Sequence, residues 1–169
     1  MTKTTGNIEI ERKFLLNGDF RPFVTRSYRI VQGYLVAQID CTVRIRIKSN
    51  KGYITVKGPA NEKGFSRFEW EKEIGVEDAR QLLQLCKEDV IDKTRHEVIF
   101  GNKTFEVDEF HANNEGLFIV ELELQSEDDP FDTPSWLGKE ITGDRRFYNA
   151  YLFEHPYQTW EADKCRAIE

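Results

Sequence analysis

Apolar and charged residues alternate with period two in separate segments of this chain, at residues 8–15, 42–48, 53–57, 67–74, 93–99, 103–109 and 118–125. That period sends successive side chains to opposite faces of a strand, so each segment is expected to be β-structure with two unlike faces. A further strand is expected over 28–36, where Tyr28, Ile30 and Val31 lead into Gly33-Tyr34-Leu35-Val36. The polar connections Ser49-Asn50-Lys51-Gly52 and Gly101-Asn102 carry residues that hairpin turns use, so most neighbours should pair antiparallel. About eight strands are enough to close a barrel. Helical spacing replaces alternation over 76–88, where Val76, Ala79, Leu82, Leu83 and Cys86 share a face and Glu77 and Asp78 occupy the first turn. A second helix is expected over 143–154, capped by Thr142, with Phe147, Ala150, Tyr151 and Leu152 on its apolar side. Pro130 and Pro134 bracket a loop, and Pro156 should end the last regular element and leave 157–169 loosely ordered.

The charged faces of these strands carry Glu9, Glu11 and Lys13; Arg44, Arg46 and Lys48; Lys57; Glu69, Glu71 and Glu73; Lys93, Arg95 and Glu97; Glu106 and Asp108; and Glu121 and Glu123. A half-buried sheet with its charges in water would account for any one of them. The set as a whole argues otherwise. Like charges two residues apart on a strand lie roughly 6.5–7 Å from one another, and cross-strand neighbours are closer, so repeated Glu-x-Glu and Arg-x-Arg pairs repel unless ligands of opposite charge sit between them. If the sheet closes with this face inward, carboxylates and cations line one lumen and helices cover the apolar outside. The predicted class is therefore α+β: a closed eight-stranded antiparallel β-barrel with helices packed outside, in one domain over 1–169 whose core runs from about 8 to 154.

Composition narrows the chemistry. The charged fraction, 32%, exceeds the usual quarter, and those charges need a location. A net charge of −6 argues against a nucleic-acid or anionic-membrane surface, so an anionic partner needs a local basic cluster or a bridging cation. Cys41, Cys86 and Cys165 are odd in number and lack CxxC spacing, which indicates neither a disulfide framework nor a zinc site and favours a reducing cytoplasm. No apolar run reaches membrane-spanning length, and the first residues lack the apolar segment of a signal peptide.

Clustered carboxylates without His or Cys form a hard-oxygen environment suited to Mg²⁺ or Mn²⁺. His96, His111 and His155 show no ligand spacing and read as surface or hydrogen-bonded structural residues. Arg forks and Lys point charges are the usual partners of phosphate oxygens. One site with both sets suits a metal–polyphosphate complex, and the absence of GxxxxGK[ST] and GxGxxG argues against a loop-and-helix nucleotide site.

Glu9-Ile10-Glu11-Arg12-Lys13 resembles the ExExK signature of the CYTH, or triphosphate tunnel metalloenzyme, superfamily, in its short bacterial tripolyphosphatase-like branch. The resemblance continues through Gln32-Gly33-Tyr34-Leu35, Val43-Arg44-Ile45-Arg46, Thr55-Val56-Lys57, Arg67-Phe68-Glu69-Trp70-Glu71, Lys93-Thr94-Arg95, Glu106-Val107-Asp108, Val120-Glu121-Leu122-Glu123 and the run from Glu140 to Asn149. It implies an eight-stranded tunnel that binds a triphosphate with Mg²⁺ or Mn²⁺. By motif, Glu9, Glu11, Glu121 and Glu123 are the metal-side carboxylates, and Glu69, Glu71 and Asp108 are further carboxylates that act as ligands or behind them. Lys13, Arg44, Arg46, Lys57 and Arg95 match phosphate-binding positions, while Lys93 and Tyr34 match a pair that positions or activates the attacking water. Arg12, on the other face, reads as structural. His96, Phe147 and Gly143 depart from the residues usual at their positions, and Asp144 and Arg146 are candidates for closing the tunnel.

The expected function is hydrolysis of inorganic tripolyphosphate to pyrophosphate and phosphate by a cytoplasmic enzyme with a small-molecule polyphosphate substrate and no nucleic-acid or membrane partner. Hydrolysis of a nucleoside or thiamine triphosphate, adenylyl cyclase activity and a non-catalytic polyphosphate-binding module are the alternatives. Assembly as a homodimer is left open.

Overall fold

The computed structural model describes residues 8–64, 66–86 and 90–160. Nine strands form one antiparallel sheet: β1 (Ile8–Leu16), β2 (Val24–Ala37), β3 (Thr42–Lys48), β4 (Lys51–Ala60), β5 (Ser66–Ile74), β6 (Ile91–Phe100), β7 (Lys103–Phe110), β8 (Phe118–Glu123) and β9 (Leu137–Glu140). Their order is β5-β4-β3-β2-β6-β7-β8-β1-β9, and a further β1–β5 pairing closes the first eight into a barrel. The closure is short. It rests on Ile8↔Phe68, Glu9↔Arg67 and Ile10↔Ser66, after which the same edge of β1 passes to β9 through Phe14↔Glu140 and Leu16↔Leu137.

The expected hairpins form where the turn residues stand. Ser49 and Asn50 join the Lys48↔Lys51 pair with Ser49 at φ 54°, and Gly101 and Asn102 join Phe100↔Lys103 with Gly101 at φ 60°. A left-handed first turn residue matches the strand twist of a two-residue hairpin. The uncertain strand over 28–36 is the middle of the longest one, β2. β9 was not expected, because its four residues, Leu137-Gly138-Lys139-Glu140, are too few to show alternation.

The helical predictions need correction. Helix α1 runs only over Val76–Leu83, with hydrogen-bonded turns as far as Cys86; residues 87 and 88 of the expected span lie outside the described residues. The second helix is two pieces, a 3₁₀ turn at Arg145–Phe147 and α2 at Asn149–Glu154, separated by Tyr148 in extended conformation. Thr142 caps neither: its Oγ1 accepts the Lys13 N–H at 2.9 Å and donates to Glu140 Oε1 at 2.7 Å, which ties the turn after β9 to β1. Asp144 takes the capping role by accepting the Arg146 N–H. Pro156 follows α2 but does not end the regular structure, because it leads into a 3₁₀ turn at Tyr157–Thr159, and the chain there is packed. Tyr157 N–H donates to Asn114 Oδ1 at 2.7 Å, and Trp160 sits edge-on to Phe147 and Tyr151.

Two apolar cores flank the charged interior. On the outer face of β1, β6, β7 and β8, Phe14, Val98, Phe105, Val107, Val120 and Leu122 are covered by Phe20, Phe131 and Trp136, which come from loops. Helix α1 covers another outer stretch, where a Cβ on Gly33 would meet Cys86 Sγ at 2.7 Å and one on Gly52 would meet the Ala79 Cβ at 2.7 Å. Helices therefore cover only part of the outside, and Phe68 and Trp70 on β5 remain 45% and 41% exposed. The second core lies inside, where Leu152 and Phe153 of α2 and Phe147 pack on Tyr34, Ile91, Phe110 and Ile119. Those residues share strand faces with the inward charges, so α2 fills one end of the lumen.

The seam between β5 and β1 depends on a close backbone crossing. Gly64 (φ +75°) and Gly143 (φ +81°) are so near that a Cβ on Gly64 would lie 2.5 Å from the Gly143 Cα. Replacing Gly64 by Ala would add left-handed strain of about 1–3 kcal/mol to that clash. Gly64→Ala should lower the thermal midpoint clearly, whereas Gly116→Ala, also at positive φ but with nothing within 4 Å of its Cβ, should cost less.

Candidate functional site

Because side chains alternate along a strand, register decides which charges meet. Arg44 stands opposite Tyr34 and Thr55, Arg46 opposite Gln32, Lys57 opposite Glu69, Arg95 opposite Tyr28 and Asp108, Lys13 opposite Glu121, and Glu11 opposite Glu123. All face the lumen, which encloses a cavity of about 690 Å³. The four carboxylates Glu9, Glu11, Glu121 and Glu123 line it, as do the five cations Lys13, Arg44, Arg46, Lys57 and Arg95. Lys93, Tyr34, Glu69 and Glu71 line it too. Asp108 does not. It is fully buried on the same inner face beneath these cations, where its two oxygens take Arg95 Nε and Nη2 at 2.7 Å each and Lys93 Nζ at 2.5 Å. Asp108 therefore orients cations.

Arg67, Glu106 and Asn149 stand within the quoted motifs and Lys48 on a charged strand face, all without an expected role, and all four line the cavity. Arg67 is the most consequential, since it lies 3.3 Å from Glu9 and 3.8 Å from Glu11 and faces the lumen from the closing seam. Its Arg67-x-Glu69-x-Glu71 alternation was the available signal. Tyr148 and Arg145 also line the cavity, whereas Asp144 and Arg146, the residues expected to close it, pair with one another at 2.7 Å. Glu73 pairs with exposed Lys51, and Glu97 accepts the Tyr28 hydroxyl. On the outer face Arg12 pairs with Glu140 and lies over the Phe14 and Phe131 rings, a structural position. His96 bonds Ser27 and Glu109, His111 bonds Thr94, and His155 stacks on Tyr151.

The inward charges form a continuous alternating chain. Glu69 and Glu9 share Lys57 at 2.8 and 2.7 Å; Glu9 and Glu11 share Arg67; Glu11 and Glu121 share Lys13; and Glu121 reaches Arg95 at 2.5 Å. Arg95 also pairs with Glu106. A second cluster joins Arg44, Arg46 and Thr55 to Glu71. Burial opposes the charge of Lys13, but Glu11 and Glu121 outweigh it and raise the pKa. Burial likewise opposes the Glu69 charge, yet Lys57, aided by Glu9 and Arg44, brings its pKa down to about 2. Arg46 goes the other way. Burial and then Arg44 lower it to about 10, so it sits among too few anions.

Do these residues fit a hard divalent cation and a polyanion? Among the described residues no three carboxylates form a ready ligand cluster, because Lys13, Lys57 and Arg67 lie between them. The donor set is nevertheless all oxygen, and Glu11 stands directly across the ladder from Glu123, a like-charge pairing that a cation would relieve. The buried Nε atoms of Arg44 and Arg46 have no hydrogen-bond partner. Orphaned guanidinium donors beside a cavity fit an anion's oxygens. Both halves fit.

Lys93 and Tyr34 differ from the rest. Burial lowers the Lys93 pKa, and although Asp108 opposes the shift, Arg95 adds to it and the value falls to about 8. Burial raises the Tyr34 pKa despite Arg44, Arg67 and Lys13, so its phenol stays protonated and can donate a hydrogen bond. Of the two, only Lys93 titrates near neutral pH.

The CYTH domain family profile matches residues 7–148. An inorganic triphosphatase of Acetivibrio thermocellus is 43% identical over 154 residues, covering 90% of this chain and 97% of its own. An inorganic triphosphatase of Nitrosomonas europaea is 34% identical over 148 residues, covering 85% and 95%. A solved crystal structure of an inorganic triphosphatase superposes with a TM-score of 0.63 at 31% identity, covering 86% of this chain and 97% of the other.

The charge chain makes acid stability testable. Glu69 titrates near 2 when folded and near ~4.3 when unfolded, so the unfolded chain binds the proton first. The stabilisation is present above ~4.3 and is lost as pH falls through about 2. Glu71, Glu121 and Asp108 shift in the same direction. The denaturant midpoint should therefore fall steeply across that window; a flat profile would mean that the pairs contribute nothing.

Proposed function

The chain belongs to the CYTH domain family, and from that premise we propose that it hydrolyses inorganic tripolyphosphate to pyrophosphate and phosphate, with Mg²⁺ or Mn²⁺, inside the barrel. The observation that carries this reading is a single cavity lined by both a carboxylate set and a cation set. A triphosphate alone would need only the cations. A metal ion alone would need only the carboxylates.

In this reading Lys13, Arg44, Arg46, Lys57 and Arg95 bind phosphate oxygens, with Arg67 added to them. Glu9, Glu11, Glu121 and Glu123 would hold the metal, which would offset charge on the transferring phosphoryl group. The neutral Lys93 amine takes a proton from water while the water oxygen attacks the terminal phosphorus. The bridging P–O bond breaks and pyrophosphate leaves with its electron pair. Tyr34, protonated, donates a hydrogen bond that orients the water. Free thiols at Cys41 and Cys86 accord with a reducing cytoplasm as the site of action, and no helix among the described residues is long and apolar enough to cross a membrane.

Phosphate release from tripolyphosphate, ATP and thiamine triphosphate tests the proposal. Tripolyphosphate should turn over fastest and chelator should abolish release. Glu11→Ala and Lys93→Ala should each lose about 100-fold or more in kcat/KM, and Tyr34→Phe should lose less. Metal-independent turnover or full activity in Glu11→Ala would overturn the mechanism, and tight binding without product would indicate a binding module.

The pH profile follows from the sign of the Lys93 shift. A base must be neutral, so kcat/KM should rise with pH through about 8 and then level off. Bound triphosphate favours the charged amine, so the limb in kcat should lie at higher pH than that in kcat/KM. A profile that falls over this range would exclude Lys93 as the base.

A further inference from the structure

Lys93 Nζ has two acceptors, Asp108 Oδ2 at 2.5 Å and Asn149 Oδ1 at 3.1 Å. They come from different parts of the fold. Asp108 is on the inner face of β7, buried beneath Arg95 and Lys93, while Asn149 is the first residue of α2 and lines the cavity beside Lys93. Helix α2 is held in place independently, since Leu152 and Phe153 belong to the inner core and Phe153 meets the Tyr34 ring edge-on at 5.4 Å. The Asn149 carbonyl is thus presented to Lys93 by a fixed element.

A charged amine has three N–H donors, whereas a neutral one has two and a lone pair. Two fixed acceptors on a tetrahedral nitrogen also fix the direction of the remaining position. We propose that Asn149 is a positioning residue for Lys93: with Asp108 it occupies two N–H groups, so that the third position, a proton when charged and a lone pair when neutral, points into the cavity. This rests on the reading of Lys93 as the base.

The choice of an amide matters. Lys93 already faces the carboxylates of Asp108 on β7 and Glu121 on β8, the Arg95 guanidinium on β6 and the Phe110 ring at 5.2 Å. A further carboxylate at position 149 would hold the proton on the amine more tightly. The amide carbonyl orients the nitrogen without adding charge.

The test compares Asn149→Leu, Asn149→Asp and Lys93→Ala in steady-state tripolyphosphate hydrolysis, together with titration of the Lys93 amine by ¹⁵N NMR in metal-free protein. Asn149→Leu should lower kcat about 100-fold with KM within about threefold. Asn149→Asp keeps the acceptor, so it should recover activity at high pH while its rising limb and the ¹⁵N titration both move up by about one unit. Wild-type kcat in Asn149→Leu, a loss confined to KM, or an unmoved limb and titration in Asn149→Asp would overturn the assignment. Because Asn149→Asp preserves shape, it remains decisive if the leucine variant folds poorly. Full activity in Lys93→Ala would sink the base itself. An inactive Lys93→Ala beside a fully active Asn149→Leu would sink only the positioning role.

Discussion

Charges enclosed by a barrel must neutralise one another or a ligand, because burial without a partner costs more than a fold can bear. In this protein they do so by strict alternation. From Glu69 through Lys57, Glu9, Arg67, Glu11, Lys13, Glu121 and Arg95 to Asp108 and Lys93, each carboxylate after Glu69 lies between two cations, all drawn from other strands except Lys13, which shares β1 with Glu11. The chain crosses the β1–β5 seam, where backbone pairing is shortest within the eight-stranded barrel, so side-chain attraction reinforces closure at its weakest point. Shape and charge are therefore one problem in this fold.

The same alternation lets a fold hold a site that is both basic and acidic. The pairs keep Lys13 and Glu69 charged in a place where burial alone would neutralise them. A metal–triphosphate complex carries both signs, so it can take over each partner's role, carboxylates turning to the metal and cations to phosphate. Two groups stand apart from this exchange. Lys93, beside the apolar end that α2 fills, has lost much of its affinity for a proton, and Tyr34 has gained affinity for its own. In the proposed mechanism, binding and proton transfer thus fall to different residues of one lumen.

The barrel was legible because period-two alternation is a local property, and seven segments showed it beside the further strand expected over 28–36. The inward direction of the charged face was legible too, from the repulsion within Glu9-x-Glu11, Arg44-x-Arg46 and Glu121-x-Glu123. What failed depended on long-range contacts. Thr142 looks like a helix cap, but its hydroxyl is engaged by Lys13 N–H and Glu140, residues that only the β1–β9 pairing brings near. Asp108 was legible as a ligand or a carboxylate behind the ligands, but that two cations cover both of its oxygens depends on the β6–β7 register. Asn149 carries no charge and follows no period, so its place beside Lys93 was invisible until α2 was seen to enter the barrel. The outer cover supplied by Phe20, Phe131 and Trp136 was hidden for the same reason, since loop residues have no periodicity to read.

The central claim is that this lumen takes a metal and a triphosphate together by replacing internal ion pairs. The most direct measurement is an anomalous-scattering map from crystals grown with Mn²⁺ and a non-hydrolysable triphosphate analogue. The account predicts a manganese peak among Glu9, Glu11, Glu121 and Glu123, with phosphate density against Lys13, Lys57, Arg44 and Arg46. Manganese outside the barrel, or an analogue bound while the Lys13–Glu121 and Lys57–Glu9 pairs remain intact, would contradict it.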